Sequence, residues 1–494
     1  MRKYLLLVIS LTIFISFHVQ AEDYKASMFG IKSNGTTMNT NSIQKAIDFI
    51  HEKGGGRLVF YVGRYLTGTI QLKSNVTIHL EEGATMVGST NIYDYNINGP
   101  HFSSLVTAYK AENIGLTGKG VIDGQGRDLA YTLLDQVQKG VLKDELANDR
   151  PALRRPKGIY FRECKNVEIS GIMVKNAAEW VVVLDQCENL KIDKITVDSK
   201  AFWNNDGIDI VDCKNVVLSN SFIDASDDAI CFKSHDPTKL CENVEVRNNV
   251  ARSSANGIKF GTVTSGGYKN FKIVNNKIYD TFRSAITIAT PDGGVIENIF
   301  VDSLYAYNTG NSIYLRIGAR WNKGRTGSMN NITIQNMYCE IPNSKPDAGR
   351  EYEGPIEDLP RNISPASIVG LPGQYISNVT LRNIQIVVPG NSNPTYAYRG
   401  IKPADLDSIP EMPAAYPEYS QFKELPAWGF YVRHVKNLTI ENVTLTAQGK
   451  EYRPAIVLDD VQGATFSEMK YIEPESTKKK QVHVYKSSEV LLKK

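Results

Sequence analysis

The sequence predicts an all-β fold, a single-stranded right-handed parallel β-helix, and three observations lead to this prediction. A short pattern recurs along the chain, in which asparagine is followed by an apolar residue, any residue and a second apolar residue. Between Asn166 and Asn298 the pattern returns at intervals of 23, 26, 28, 27 and 28 residues. Its alternation has a period of two, which is typical of a strand. One short strand in each repeat of this length indicates a solenoid.

Each repeat asparagine comes directly before a predicted strand. Asparagine tolerates the left-handed backbone region, and its side-chain amide can hydrogen-bond to its copy in the next coil. We therefore expect a ladder of stacked asparagines along the solenoid. The positions are Asn75, Asn113, Asn166, Asn189, Asn215, Asn243, Asn270, Asn298, Asn331, Asn378 and Asn437.

Four cysteines share one phase of the repeat. Cys164, Cys187, Cys213 and Cys241 each stand two residues before a repeat asparagine. Stacked thiols could lie close enough to bridge, and disulfides are common in exported proteins. Free cysteine is also a small core hydrophobe. The phase favours a buried, reduced ladder over disulfides, which stay the alternative.

Residues 1–21 read as a cleaved signal peptide. Arg2 and Lys3 precede the apolar run Leu5–Phe17, and Val19–Ala21 forms a small-x-small cleavage pattern. A membrane anchor is the alternative, but the run is shorter than the ~20 residues that a span needs. We therefore expect a secreted or periplasmic protein without membrane insertion.

The remaining chain, 22–494, is predicted to form a single β-helix domain. The pattern of Ser42–Lys53 predicts an amphipathic helix, which ends at Gly54–Gly56. This helix would cover the open end of the solenoid. The predicted parts are an N-terminal cap at about 27–60, coils at about 60–470 and a solvated tail after Pro474. Three stretches depart from the repeat: Asp128–Asn148, read as a helix or lid, and the insertions 341–373 and 389–429.

Composition excludes several classes of protein. With 42% hydrophobic and 22% charged residues the chain is typical of soluble globular proteins. The 56 basic and 53 acidic residues give no electrostatic signature of nucleic-acid binding. The seven histidines are scattered and no HExxH or CxxC motif is present, so we expect no metal and no organic cofactor.

Aspartates cluster in two neighbouring repeats. Asp206 and Asp227 are 21 residues apart, about one coil, and Asp228 follows directly. If these side chains share a corner, their like charges would raise at least one pKa, an arrangement found mainly at functional sites. Spacing alone leaves the alternative that they are ordinary turn aspartates.

The aspartate motifs and several others make the chain resemble glycoside hydrolase family 28, the pectin-degrading polygalacturonase family, over about residues 27–445. The family's Asn-Thr-Asp motif is matched at Asn204–Asp206, with Asn205 in place of Thr, and its Asp-Asp pair at Asp227 and Asp228. Further matches are Phe29–Gly30, Asn41–Ala46, Gly54–Gly56, Tyr65–Gly68, Leu72–Thr77, Gly120–Gly126, Asn176–Trp180, Ile230, Lys233 and Ser234.

The resemblance implies an inverting hydrolase without a cofactor, in which one carboxyl group protonates the leaving oxygen and others activate water. By position, Asp227 is the expected general acid, and Asp206 with Asp228 the expected base pair. The expected partner is a pectic polysaccharide or oligosaccharide, and the expected state a monomer. Two alternatives stay open: a Ca²⁺-dependent β-helix lyase, and a non-catalytic glycan-binding solenoid.

Two family motifs are altered in this chain. The family's Gly-His-Gly falls on Ala255–Gly257, so that Asn256 replaces the histidine, and its Arg-Ile-Lys falls on Thr287–Ala289. The missing cations predict a pectic substrate other than plain homogalacturonan, and the long insertions favour exo attack. Arg316, with Arg320 and Arg283, could restore a cation. The candidate substrate-binding residues are Asn204, Lys233, Asn256, Lys259, Arg316 and Trp203, the last with a core position as an equal alternative.

Overall fold

The computed structural model describes residues 22–95, 103–143, 155–200, 202–322, 324–350, 363–390, 400–474 and 480–493. Its strands pair in parallel from coil to coil, which confirms the predicted right-handed parallel β-helix. Among these residues no helix is long and apolar enough to cross a membrane. The predicted signal peptide, 1–21, lies outside the described residues.

The elements follow one another in short coils at the N-terminal end and in longer continuous strands towards the C-terminus. The first nine strands and two helices are β1 (Asp23–Lys25), α1 (Thr40–Glu52), β2 (Gly56–Phe60), β3 (Gly63–Thr67), β4 (Ile70–Leu72), β5 (Val76–Leu80), β6 (Ala84–Gly88), β7 (Ser104–Tyr109), β8 (Glu112–Gly118), β9 (Val121–Asp123) and α2 (Gly126–Gln138).

The central coils carry the candidate site. Their strands are β10 (Lys157–Arg162), β11 (Lys165–Ser170), β12 (Met173–Lys175), β13 (Val182–Asp185), β14 (Glu188–Asp193), β15 (Thr196–Ser199), β16 (Ile208–Val211), β17 (Lys214–Ser219), β18 (Phe222–Ala225), β19 (Ile230–Ser234), β20 (Cys241–Arg247), β21 (Val250–Ser253), β22 (Ile258–Thr264) and β23 (Gly267–Thr290).

The last coils are β24 (Val295–Ile317), β25 (Ser328–Glu340), β26 (Ala366–Val369), β27 (Ile376–Val388), β28 (Phe430–Ala447), β29 (Ile456–Ser467), β30 (Lys470–Ile472), β31 (Val482–Tyr485) and β32 (Ser488–Leu492), with the short helix α3 (Pro403–Asp407) before β28.

The strands of successive coils stack into three parallel sheets. One sheet contains β10, β13, β16, β19 and β22, the second β11, β14, β17 and β20, and the third β12, β15, β18 and β21. The inward side chains of each strand fill a continuous apolar core of Ile, Val, Leu and Phe. Outward side chains at equivalent positions therefore form ladders along the molecule.

The predicted asparagine ladder is confirmed. All eleven repeat asparagines have φ between 54° and 65°, the left-handed region that the turn requires. From Asn113 to Asn331 each side-chain Nδ2 donates to the Oδ1 of the previous repeat asparagine at 2.8–3.2 Å. Asn378 keeps the strand register opposite Asn331, but its Nδ2 donates to Oδ1 of the neighbouring Asn330, at 2.7 Å.

The cysteine ladder is confirmed in its reduced form. All six cysteines are free and buried. The backbone N–H of Cys164 lies 3.4 Å from Cys187 Sγ, and that of Cys187 lies 3.3 Å from Cys213 Sγ. The thiols therefore stack at one corner of successive coils without bonding covalently.

Two predicted helices are present. α1 begins at Thr40, two residues before the predicted start, and its buried Ile43, Ile47 and Ile50 pack onto the first coil. α2 covers the first part of the stretch Asp128–Asn148, and residues 144–154 lie outside the described part of the chain.

The prediction of a solvated tail after Pro474 is wrong. β31 and β32 both pair in parallel with β29, so the coils continue to Leu492 instead of ending near residue 470. The alternating residues of Val482–Tyr485 extend the same sheet, although charged residues precede them in sequence. The insertion 341–373 likewise contains a strand, β26, which belongs to the β-helix and pairs in parallel with β24 and β28.

Candidate active site

Equivalent positions in four successive coils build the candidate site, three in the turns before β16, β19 and β22 and the fourth within β23. Asp206, Asp228, Asn256 and Ser284 each stand two residues before one of the in-register partners Ile208, Ile230, Ile258 and Ile286. Because parallel coils stack about 4.8 Å apart, these four side chains lie in one row. The spacing of the aspartates in the sequence reflects this stacking.

Gly207, which follows Asp206, is required by the close stacking of these turns. A Cβ atom at this position would lie 2.5 Å from the carbonyl oxygen of Ala229 in the next coil. The backbone N–H of Gly207 donates to the carbonyl of Asp228 at 2.9 Å. Any larger residue would separate the two aspartate turns.

The three predicted catalytic aspartates come together as expected. Asp206 and Asp228 are buried, and one carboxylate oxygen of each lies within 4.8 Å of the other. Asp227 is half-buried, and its Oδ1 accepts the backbone N–H of Asp228 at 2.9 Å. Asp227 is thus the member of the cluster most open to a ligand.

The surroundings push the pKa values of the three carboxyl groups apart. Burial raises the pKa of Asp227, and the neighbouring charge of Asp228 raises it further. Burial also raises the pKa of Asp206 well above its usual value, although Lys233 acts against this. Burial alone would raise the pKa of Asp228, but Lys259, Lys233 and other donors hold it below its usual value. Such a separation is what acid and base roles require.

Lys233, predicted to bind substrate, is instead the internal counter-ion of the cluster. It is buried, and its Nζ lies 2.9 Å from Asp206 Oδ2 and 2.7 Å from Asp209 Oδ1. The same ammonium lies 4.6 Å from the centre of the Trp180 ring. Asp209, fully buried, is a member of the site that the sequence analysis did not select. Its signal was its position three residues after Asp206, on the outward face of β16.

One group of ligating atoms, from Asp206, Asp228 and Cys231, has the geometry to hold a cation. Lys233 Nζ, however, lies 2.9 Å from both Asp206 Oδ2 and Cys231 Sγ. The ammonium thus already neutralises this group, and the donor set does not fit a metal ion.

Asn256 holds Asp228 in place instead of pointing towards a substrate. Its backbone N–H and its Nδ2 both donate to Asp228 Oδ1, at 3.0 and 2.7 Å. Its own Oδ1 accepts from the hydroxyl of Thr287 at 2.9 Å and from the backbone N–H of Ser284 at 3.3 Å. Every polar atom of the Asn256 side chain is therefore engaged within the protein.

Two further cations, Lys259 and Arg283, lie beside the aspartates. They are covered by the described residues that connect β27 to β28, here called the 400–429 segment. Lys259 is fully buried, and its Nζ lies 5.2 Å from the ring centre of Tyr416 with no hydrogen-bond partner among the described residues. Arg283 Nε lies 3.2 Å from Glu418 Oε2. Tyr416 and Glu418 thus bring a distant part of the chain onto one end of the site.

Arg316 does not contribute to the cluster, contrary to prediction. It is buried, and its guanidinium donates to the backbone carbonyl oxygens of Gly370 at 3.2 Å, of Met412 at 3.1 Å and of Glu411. Arg316 therefore anchors the 400–429 segment. Arg320 is also engaged, in a double contact of 3.0 Å with Asp292.

Asn204 and Trp203 lie at the opposite end of the aspartate row, and both are half-buried. Asn204 has φ 58°, and its Oδ1 accepts from Arg155 at 3.0 Å. The backbone carbonyl of Trp203 accepts from the same guanidinium. Arg155 therefore fixes the turn that leads into Asp206.

Comparison with known proteins agrees with this geometry. The sequence model of the family described as "Glycosyl hydrolases family 28" matches residues 58–295, which include the whole aspartate row. The resemblance to glycoside hydrolase family 28 that the motifs indicate is therefore confirmed, and the chain is a glycoside hydrolase.

Relatives of this family extend beyond the matched region. An exo-poly-alpha-D-galacturonosidase of Dickeya chrysanthemi is 26% identical over 430 residues, covering 73% of this chain and 71% of the relative. An endo-polygalacturonase of Pectobacterium parmentieri is 24% identical over 67% of this chain and 85% of its own. The solved exopolygalacturonase of Thermotoga maritima covers 86% of this chain and 91% of its own, with a TM-score of 0.62 and 23% identity. The last likeness shows the shared fold.

Proposed function

We propose that this enzyme hydrolyses pectic chains with inversion of configuration, with Asp227 as general acid, Asp228 as general base, and Asp206 beside Asp228 holding the attacking water. The observation that carries the proposal is the aspartate row itself: Asp206 and Asp228 lie side by side, and Asp227, next to Asp228 in sequence, is the carboxyl group most open to a ligand. Asp227, whose pKa is raised, can keep a proton for the leaving glycosidic oxygen. Asp228, whose pKa is lowered, can accept a proton from water.

The pectic substrate is supported by the relatives, which act on polygalacturonate according to their names. Asp228 and Asp206 lie side by side, so that one water can contact both and reach the anomeric carbon opposite Asp227. Attack by that water inverts the configuration, because no covalent intermediate forms. A β-helix lyase is not favoured, because the cluster holds its own ammonium, Lys233, where that enzyme would need a metal.

Exo attack is the second part of the proposal. The 400–429 segment places Tyr416 and Glu418 over Lys259 and Arg283, next to the aspartates. A substrate-binding surface that this segment closes at one end would admit a chain end more readily than the middle of a polymer. The relative from Dickeya chrysanthemi, named as an exo-acting enzyme, supports the same proposal.

One experiment tests both parts. The enzyme is incubated with a panel of pectic polymers and oligosaccharides, product sizes are followed by chromatography, and the anomer formed first is identified by proton NMR. Mono- or disaccharide products from the outset and an inverted anomer support the proposal. Retention of configuration, or an unsaturated product that absorbs in the ultraviolet, contradicts it.

We also propose that the protein acts outside the cytoplasm as a monomer. Support comes from the leader-like pattern of residues 1–21 and from a site built entirely by one chain. N-terminal sequencing of the protein from its source should begin at Glu22, and light scattering should give the mass of one chain. A retained N-terminus or a stable dimer contradicts these points.

A further inference from the structure

The two positions at which this chain departs from its family's motifs contact each other. Asn256 stands where the family has histidine, and Thr287 stands where it has the arginine of Arg-Ile-Lys. They belong to successive coils, and the Thr287 hydroxyl lies 2.9 Å from Asn256 Oδ1. Both residues are essentially inaccessible to solvent. The two changes therefore form one unit and not two separate losses.

The contact fixes the direction of the Asn256 amide. Its oxygen accepts from the Thr287 hydroxyl and from the backbone N–H of Ser284, so its NH₂ group must face Asp228. Asp228 Oδ1 consequently accepts two donors from Asn256, at 2.7 and 3.0 Å. Hydrogen bonds to the charged form of a carboxyl group favour that form.

We propose that Thr287 and Asn256 form a positioning pair that orients Asp228 and keeps it ionised as the catalytic base, in place of the family's histidine and arginine. This inference rests on the proposed function, because it takes Asp228 as the base. Neither residue touches the reacting atoms in this scheme. Thr287 acts only through Asn256, and Asn256 acts only through Asp228.

The pair has a consequence for pH dependence. An amide and a hydroxyl do not titrate in the range where a histidine would change charge, near pH 6.5. The acidic limb of the activity profile should therefore reflect the carboxyl groups and not an imidazole. The charged and titratable groups that face Asp228 from the neighbouring elements are Asp206, Asp209, Asp227, Cys231, Lys233, Lys259 and Arg283, with Tyr416 and Glu418 behind the last two.

The test is a double-mutant cycle on the intact enzyme with its best pectic substrate. Asn256→Ala removes a hydrogen bond to a charged group and should lower kcat/KM by about 10- to 150-fold. Thr287→Val keeps the shape and removes only the hydroxyl, so a smaller loss of roughly 2- to 10-fold is expected. In the Asn256→Ala background Thr287→Val should have no further effect, because its partner is gone.

The pH profile separates positioning from mere packing. In Thr287→Val the acidic limb of kcat/KM should move to higher pH, since Asp228 loses an oriented donor and binds its proton more tightly. Thr309→Val is the matched control, because Thr309 is equally buried and its hydroxyl lies 3.3 Å from Cys339 Sγ, in another coil. Its profile should match that of the wild type. Equal losses in both backgrounds, or an unmoved acidic limb, would overturn the proposal.

A second readout needs no substrate. The carboxyl carbons of ¹³C-labelled aspartate are titrated by NMR in the free enzyme, and Asp228→Asn identifies the Asp228 signal. A higher pKa of Asp228 in Thr287→Val supports the positioning pair, and an unchanged pKa refutes it. Failure of the wild type on every pectic substrate would refute the proposed function instead, and this titration would still decide the role of the pair.

Discussion

Replacing Asp227 by Asn gives the sharpest test of the site. Asparagine has the same shape, and its oxygen can still accept the backbone N–H of Asp228, which Asp227 Oδ1 accepts at 2.9 Å. The half-buried position tolerates a neutral side chain, so the fold should be kept. What is lost is the proton for the leaving oxygen. Loss of a general acid costs about 10²–10⁴-fold in rate, or roughly 3–5 kcal/mol of transition-state stabilisation.

The assay measures kcat and KM by reducing-end release from the best pectic oligosaccharide between pH 4 and pH 8. In the wild type, activity should fall as pH rises through the raised pKa of Asp227, because the acid then loses its proton. In Asp227→Asn this alkaline limb should disappear while KM changes little. An aryl glycoside, whose leaving group needs little protonation, should regain most of the lost rate.

Asp236→Asn is the control, since Asp236 is a turn aspartate of the same coil that accepts from Thr238 and lies outside the cluster. It should match the wild type within about twofold, as surface substitutions usually do. The assignment of Asp227 is refuted if Asp227→Asn keeps more than a tenth of wild-type kcat, or if its alkaline limb is unchanged.

Three further predictions follow from the same site. Lys233→Met leaves Asp206 and Asp209 without their counter-ion, so thermal unfolding at neutral pH should show that the free energy of unfolding falls by about 3–5 kcal/mol. The loss should be smaller at acidic pH, where the carboxyl groups can be protonated, and an unchanged melting temperature at both pH values would contradict this. Because Thr287 stands in place of a cation, kcat/KM for plain polygalacturonate should be roughly 10- to 150-fold lower than for the best pectic substrate. If polygalacturonate instead has the highest kcat/KM, another cation binds its carboxylate. Tyr416→Ala removes the ring that lies over Lys259 beside the aspartates, and it should give longer early products by chromatography. An unchanged product pattern would argue against exo attack set by the 400–429 segment.

The repeat could be predicted from the sequence because every coil places the same steric demands on its residues. The asparagine φ values of 54° to 65° demand a residue that tolerates the left-handed region, and the alternating strand after it must bury every second side chain. Both demands place asparagine and alternating apolar residues at regular intervals along the sequence. The fold of the tail after Pro474 could not be predicted, because Lys478–Lys480 suggested a solvated segment and Val482 and Val490 continue the pattern over only one coil.

The aspartate row could be predicted for the same reason, since stacked turns convert a spacing in sequence into a distance in space. The roles of the cations could not. Arg316 depends on carbonyl groups of Gly370, Glu411 and Met412, which the chain brings back only after 50 or more residues. Lys259 likewise depends on Tyr416 in the same returning segment. No local pattern encodes such contacts.

The row of unbridged cysteines affects how the folded protein responds to redox conditions. Burial raises the pKa of Cys187 well above its usual value and also raises that of Cys213. Thiol exchange requires the thiolate, and burial disfavours that charged form in these side chains. Once folded, the chain therefore keeps the same covalent structure under oxidising and reducing conditions. Activity of the folded enzyme should therefore be the same in oxidising and in reducing buffers.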